Sequence, residues 1–252
     1  KFSTNINSAC HNGHRYEPLS IMHYEKDFNT TVGEFGCIRH QTHKFLRASP
    51  DGINIDPKNL RYGRLVEVKN PTSRELDGIP EKAYWVQMQL QMEVWDLEEC
   101  DFLETTFKEY ETEEEFKNDG ETFTHRENGM RKGIVIQFFH NSKPHYEYPP
   151  VDVSEKEFND WYDKILEQNK EMTYIKNIYW YLKDYSCVLV PRNKKWFNHV
   201  FPKLQDLWNT VLKERETGYE HRRPKKSNKK ITKPQAENIV IKVRTESFSE
   251  SN

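Results

Sequence analysis

The chain has 252 residues, 35% hydrophobic, 13% aromatic and 31% charged, which is apolar material enough for one packed core with appendages. Its formal net charge of −2 supplies no overall positive field, so a nucleic-acid surface would have to come from local clusters of Lys and Arg. Four scattered cysteines (Cys10, Cys37, Cys100, Cys187) with no Cys-x-x-Cys pair exclude a disulfide framework and a four-thiolate zinc site, and neither an apolar run of about 18 residues nor a signal sequence is present; an intracellular, unsecreted protein is expected, with no membrane partner.

In chain order, residues 11–28 carry Tyr16, Leu19, Ile21, Met22 and Tyr24 at helical spacing, and Pro18 suits the start of a helix, with Glu17 near its head. Residues 32–55 are short apolar pieces punctuated by glycine, and Ser49-Pro50-Asp51-Gly52 has the composition of a tight turn. Residues 64–69 are β-branched and alternating, and Asn70-Pro71 ends them; period two puts Leu65, Glu67 and Lys69 on one face and Val66 and Val68 on the other. Residues 81–97 are helix-like, with Val86, Leu90, Val94 and Leu97 marking one face and Gln87 and Gln91 sharing a stripe.

Residues 101–110 and 133–140 are predicted strands around a charged, solvated insert at about 111–132. Ser154 with Glu157 is a capping-box pattern opening a helix to about Glu171, and a further helix covers about 195–215. This divides the chain into a core at 1–150, a helical extension at 151–218 in which Trp161, Trp180, Trp196 and Trp208 pack on that core, and a basic, disordered tail at 219–252.

The chemistry concentrates between Asp51 and Gln87. Phosphodiester hydrolysis needs charge neutralised on the phosphoryl oxygens and a water activated, and magnesium held by carboxylates supplies both. A strand showing Glu67 and Lys69 on one face offers a metal carboxylate and an ammonium ~6–7 Å apart along the strand. A hairpin would bring Asp51 beside Glu67, Glu17 could add a third carboxylate from a helix, and Gln87 could reach the scissile phosphate or the water at the metal. Arg74 and Ser73, just after the strand, are candidates to meet a substrate phosphate.

The stretches Gly13 to Glu17, Ala48-Ser49-Pro50-Asp51-Gly52, Glu67-Val68-Lys69, Pro71-Thr72-Ser73-Arg74 and Tyr84 to Met92 together resemble the YqaJ-like viral recombinases, with lambda exonuclease and the herpesvirus alkaline nucleases, within the PD-(D/E)XK superfamily. Glu-x-Lys or Ser-Pro-Asp-Gly alone means little; their order and spacing carry the resemblance. It implies an α/β (α+β) restriction-endonuclease-like core, a mixed central sheet flanked by helices, here with a C-terminal helical extension. It further implies Asp51 and Glu67 as metal ligands, Lys69 as the catalytic lysine, Glu17 and Gln87 in support, and Mg2+ (or Mn2+) as cofactor. A DNA exonuclease of a viral or phage recombination system is then expected, with DNA, a single-strand annealing protein and further copies of the chain as partners. Relatives carry helical structure with basic residues ahead of the Gly-x-x-x-Glu element; twelve residues stand there in this chain, which starts at Lys1, as a fragment would.

Plainer readings stand beside these. Glu67 and Lys69 could be a surface ion pair, Asp51 a turn residue, Glu17 a helix-end acid, and Gln91 a polar residue on a helix edge. Cys37, His40 and His43 lack a nearby fourth ligand and are assigned no zinc. The alternatives to an exonuclease are a DNA-binding module that no longer cuts and a structure-selective endonuclease; an iron–sulfur relative would need a C-terminal cysteine cluster, and only Cys187 lies in the last third.

Overall fold

The structure is a computed structural model that describes residues 8–224; most of the expected basic tail lies outside the described residues. The chain divides into two compact units, Lys1–Asp206 and Leu207–Asn252.

The first unit opens with α1 (Ala9–Phe28), where the Ser8 side chain accepts from the His11 N–H and Asn29 closes the helix in the left-handed region at φ 45°. Pro18 sits inside this helix, and Glu17 with it, well beyond the first turn; the expected helix start at Glu17 is corrected accordingly. Tyr16, Leu19, His23 and Tyr24 bury one face of α1 against the sheet.

Short strands β1 (Val32–Gly33), β2 (Ile38–Arg39), β3 (Arg47–Ala48) and β4 (Gly52–Asn54) lead to β5 (Leu65–Lys69), α2 (Lys82–Trp95) and β6 (Glu99–Glu109). Strands β4 and β5 form the expected antiparallel pair, with Gly52 opposite Val66. Strand β6 runs parallel to β5, and α2 supplies the crossover that a parallel pair requires. Leu65 joins Met88, Met92 and Phe102 on the α2 side, while Val66 and Val68 join Tyr24 and Leu103 on the α1 side, as period two requires. The core stripe of α2 is Met88 and Met92 rather than Val86 and Leu90, because the helix turns its amides as well as its methionines inward.

Two further elements differ from the sequence expectation, a helix at Glu113–Asn118 and a strand at Thr173–Pro191. The insert folds as α3 (Glu113–Asn118), anchored by the buried Phe116 rather than left as a solvated loop. After β7 (Lys132–His140), β8 (Lys143–Glu147) and α4 (Glu155–Gln168), whose capping box of Ser154 and Glu157 is formed as expected, comes β9 (Thr173–Pro191). This long strand lies in the middle of the seven-stranded sheet, ordered β1-β4-β5-β6-β9-β7-β8, where an all-helical extension was expected. The reason is period: Ile178, Trp180 and Leu182 are buried two residues apart, and the half-buried Tyr179 and Tyr181 between them mask the alternation with a continuous aromatic run. Trp161 of α4 does join a helical layer over β7, and Trp196 packs edge-on against Trp85.

Helix α5 (Lys194–Thr217) begins in the first unit. In the second, the Arg215 guanidinium lies 5.2 Å from the Trp208 ring centroid, and Arg222, in a short 3-10 turn at Glu220–Arg222, pairs back with Glu214 of the helix.

Candidate functional site

Glu67 is fully buried in mid-β5, and both its oxygens are engaged. Oε1 accepts from Lys69 Nζ and, at 2.6 Å, from Gln87 Nε2; Oε2 accepts from Gln91 Nε2 at 2.7 Å. The two glutamines stand one turn apart on α2, so a single helix face delivers both amides to one carboxylate. Gln91 is thus no helix-edge residue, as the plainer reading had it: it is buried, and its amide also lies 3.3 Å from the Ser49 carbonyl. The signal that would have found it is the i, i+4 spacing with Gln87 itself.

Asp51 hangs from the turn before β4 and its Oδ2 accepts the Val68 N–H at 2.7 Å, which ties the turn to β5 beside Glu67. Burial raises the Asp51 carboxyl to about 7, the Glu67 charge adds to the rise, and the Val68 N–H and Lys69 oppose it. Lys69 has the reverse balance: burial works against its charge, Glu67 and Asp51 outweigh that, and the net shift is upward. Its ammonium also donates to the Val68 carbonyl at 3.1 Å and stands 5.3 Å from the Tyr84 ring centroid.

Glu17 faces this group from α1. Burial raises its carboxyl, His14 and Lys69 pull it down, and Glu67 and Glu34 push it up, so it shares the electrostatic neighbourhood of Glu67 and Lys69. Its place inside α1 removes the helix-end explanation. Among the described residues no group of three or more His, Cys, Asp or Glu is close enough to hold an ion together. Two carboxylates are nonetheless an ordinary protein share for Mg2+, which keeps several waters and takes further oxygens from a substrate phosphate. The hard oxygen donors of Asp51 and Glu67, one of them protonated more readily because of the other, fit such an ion.

The Arg74 guanidinium pairs with Glu104, the β6 residue opposite Lys69, and, at 3.2 Å, with Glu81; Ser73 is exposed in the same loop. Asn70, read in sequence only as a strand terminator, donates to Ser20 Oγ at 2.9 Å and Thr105 Oγ1 at 2.7 Å, pinning the end of β5 between α1 and β6. Behind the site, the buried Asp101 accepts from Tyr24 at 2.6 Å and from Arg61 and Arg64. His40 lies 3.5 Å from Glu93, while Cys37 is exposed.

Residues 2–108 match the model of the YqaJ-like viral recombinase domain. The chain is also 33% identical over 244 residues to the uncharacterized protein R354 of Acanthamoeba polyphaga mimivirus, an alignment covering 82% of this chain and 44% of that protein, so the chain spans less than half of that relative's length. Among solved structures, the alkaline exonuclease LHK-Exo of Laribacter hongkongensis aligns with a TM-score of 0.48 at 19% identity, covering 85% of this chain and 74% of that one. Its complex with dAMP aligns with a TM-score of 0.47, again at 19% identity, over 84% and 72%. The YqaJ-like match ends within β6, so β9, the strand that completes the sheet beside β6, comes from beyond it. No helix among the described residues is long and apolar enough to cross a membrane.

Proposed function

We propose that the protein is a metal-dependent deoxyribonuclease that degrades DNA from its ends, with Mg2+ as the cofactor and Mn2+ as a substitute. One observation carries the reading: Glu67, a fully buried carboxylate, sits close enough to Asp51 to push its carboxyl upward, and a lysine and two amides converge on the same point. A like-charged pair of this kind is costly unless a cation or a proton joins it. The match of residues 2–108 to the YqaJ-like viral recombinase domain is in keeping with this reading.

Asp51 and Glu67 would hold the cation, and bound there it would neutralise charge on the phosphoryl oxygens and make a water more acidic. Lys69 holds the attacking water in line and stabilises charge growing on the phosphate, a task for an ammonium already fixed by Glu67 and the Val68 carbonyl. Gln87 and Gln91 keep the Glu67 carboxylate from rotating, and Glu17 lies across from it to take or orient a proton. An annealing protein that receives the resulting single strand, and action in a viral recombination system, complete the proposal.

The test is to incubate end-labelled linear DNA and covalently closed circular DNA with the protein and Mg2+. Loss of the linear DNA with survival of the circle is expected, abolished by excess chelator. Cutting of the circle would overturn end dependence, and binding without turnover at any metal concentration would overturn the nuclease.

A further inference from the structure

Forty of the 252 residues are Asp or Glu, yet none stands between Phe35 and Pro50. That stretch carries Arg39, Lys44 and Arg47, and it folds as the two-stranded sheet of β2 and β3. The register sets Arg39 directly opposite Arg47, and beyond them the His40 N–H donates to the Leu46 carbonyl at 3.0 Å. Both arginines are exposed, as is Lys44 in the connecting turn, and among the described residues none of the three makes an ion pair. Like charges directly opposite on neighbouring strands repel, with Cβ atoms about 4.5–5.5 Å apart, so the arrangement is unfavourable until an anion joins it.

The ribbon is nonetheless fixed in place. His40 meets Glu93 of α2 at 3.5 Å, the Trp95 indole N–H holds the Ala48 carbonyl at 3.3 Å, and the His43 and Phe201 rings lie 4.0 Å apart. Period two turns Arg39 away from the face on which His40 meets α2, and Arg47 with it. Glu93 and Asp96 at this end of α2 are both engaged by Arg192, each at 2.8 Å, which leaves the charge of the ribbon uncompensated. Strand β3 then runs straight into Ser49-Pro50-Asp51. From Arg47 to Asp51 the chain spans at most about 14 Å, the rise of about four base pairs along a duplex. A duplex cut at Asp51 and Glu67 carries its other phosphates past the ribbon, and this favours DNA over an acidic protein surface as the anion.

We infer that the β2–β3 ribbon is a backbone clamp for duplex DNA: Arg39 and Arg47 together hold one phosphate within about four base pairs of the scissile one, and Lys44 meets a neighbouring phosphate. The inference rests on the nuclease reading. Contacts of this kind position the duplex and read no sequence.

The experiment measures duplex binding by fluorescence anisotropy in excess chelator, which leaves the DNA intact, over a series of salt concentrations. It compares the parent protein with the double variant Arg39→Gln, Arg47→Gln. The variant is expected to bind roughly 10- to 100-fold more weakly and to lose about one unit from the slope of log K against log salt, equally on two unrelated sequences. With Mg2+ its KM rises while kcat holds. Its urea midpoint stays level or rises, because a repulsive pair is gone, whereas a merely structural pair would lower it. No duplex binding by the parent protein, or an affinity and slope indifferent to the double change, would overturn the clamp even if DNA is cut. A loss confined to one sequence would overturn it too, as would unchanged duplex affinity with lost binding of polyglutamate, which would assign the ribbon to an acidic protein. Weakened binding with a shallower slope in a protein that never cuts DNA would overturn the nuclease reading and leave the clamp standing.

Discussion

Around Glu67 the interior of the large unit is polar: a buried carboxylate takes an ammonium and two amides, Asp51 leans on a backbone N–H, and Asp101 behind them takes a tyrosine and two arginines. Around Trp180 it is aromatic: Tyr16 stacks on Phe107 at 4.8 Å, Phe107 meets Trp180 edge-on at 5.3 Å, and Phe116, Phe123 and Phe158 continue the packing under α4. Strand β6 serves both, with Phe102 and Glu104 at one end and Phe107 at the other. Apolar burial and ring packing supply free energy that charged clusters do not, so the aromatic half offsets the cost of holding like charges together in the polar half.

The comparison breaks most sharply if one residue of each half is changed. Glu67→Gln keeps the shape but removes the charge and turns one of the two acceptor oxygens into a donor, and cleavage should fall by roughly 10²–10³-fold or more, with the circular dichroism spectrum unchanged. Full activity of this variant would remove Glu67 from the chemistry. Trp180→Ala should do the opposite, lowering unfolding free energy by about 3–5 kcal/mol in urea titration while leaving turnover per folded molecule intact. Its tight seat shows at Gly133, where a Cβ would come 2.6 Å from the indole.

The two halves also differed in what the sequence disclosed. Around Asp51, Glu67 and Lys69 the pattern was readable because the chemistry restricts residue types at short spacing, and the hairpin of β4 and β5 is local. Gln91 was passed over because a buried amide and a helix-edge amide look alike until the carboxylate it serves is known. Strand β9 is not legible because its partners, β6 and β7, lie far back in the chain and the elements flanking it are helices. The pairing of Arg74 with Glu104, thirty residues on, is likewise invisible in the local sequence.

A smaller contrast separates two amides of the same helix. Gln91 serves Glu67, whereas Gln89 bonds the Pro191 carbonyl at 3.0 Å and receives the Asn193 N–H at 2.6 Å, tying α2 to the end of β9. Gln91→Leu should lower kcat about tenfold, since a buried acceptor left short of a donor is worth roughly 1–3 kcal/mol. Gln89→Leu should lower the urea midpoint with kcat unchanged. Equal effects of the two on kcat would mean that Gln91 acts only through packing.

The smallest expected effect is a pH dependence at Asp51. Unfolded, this carboxyl releases its proton near its ordinary 3.8; folded, burial and Glu67 raise it to about 7. Between those values the native state holds more protons than the unfolded one, so the contribution of Asp51 to stability falls as pH rises through the window. His23 runs the other way: burial lowers its imidazole from 6.5 to about 3, and the native state loses stability as pH falls below 6.5. Asp51→Asn isolates the first, because the His23 contribution is common to both proteins. In chelator, the variant should gain on the parent protein in urea midpoint between pH 5 and pH 8, and a gap that stays constant would contradict the raised carboxyl. A cation binds the ionised form, so the rise in melting temperature that Mg2+ gives the parent protein should grow toward pH 7 and level above it, while Asp51→Asn should show little rise at any pH.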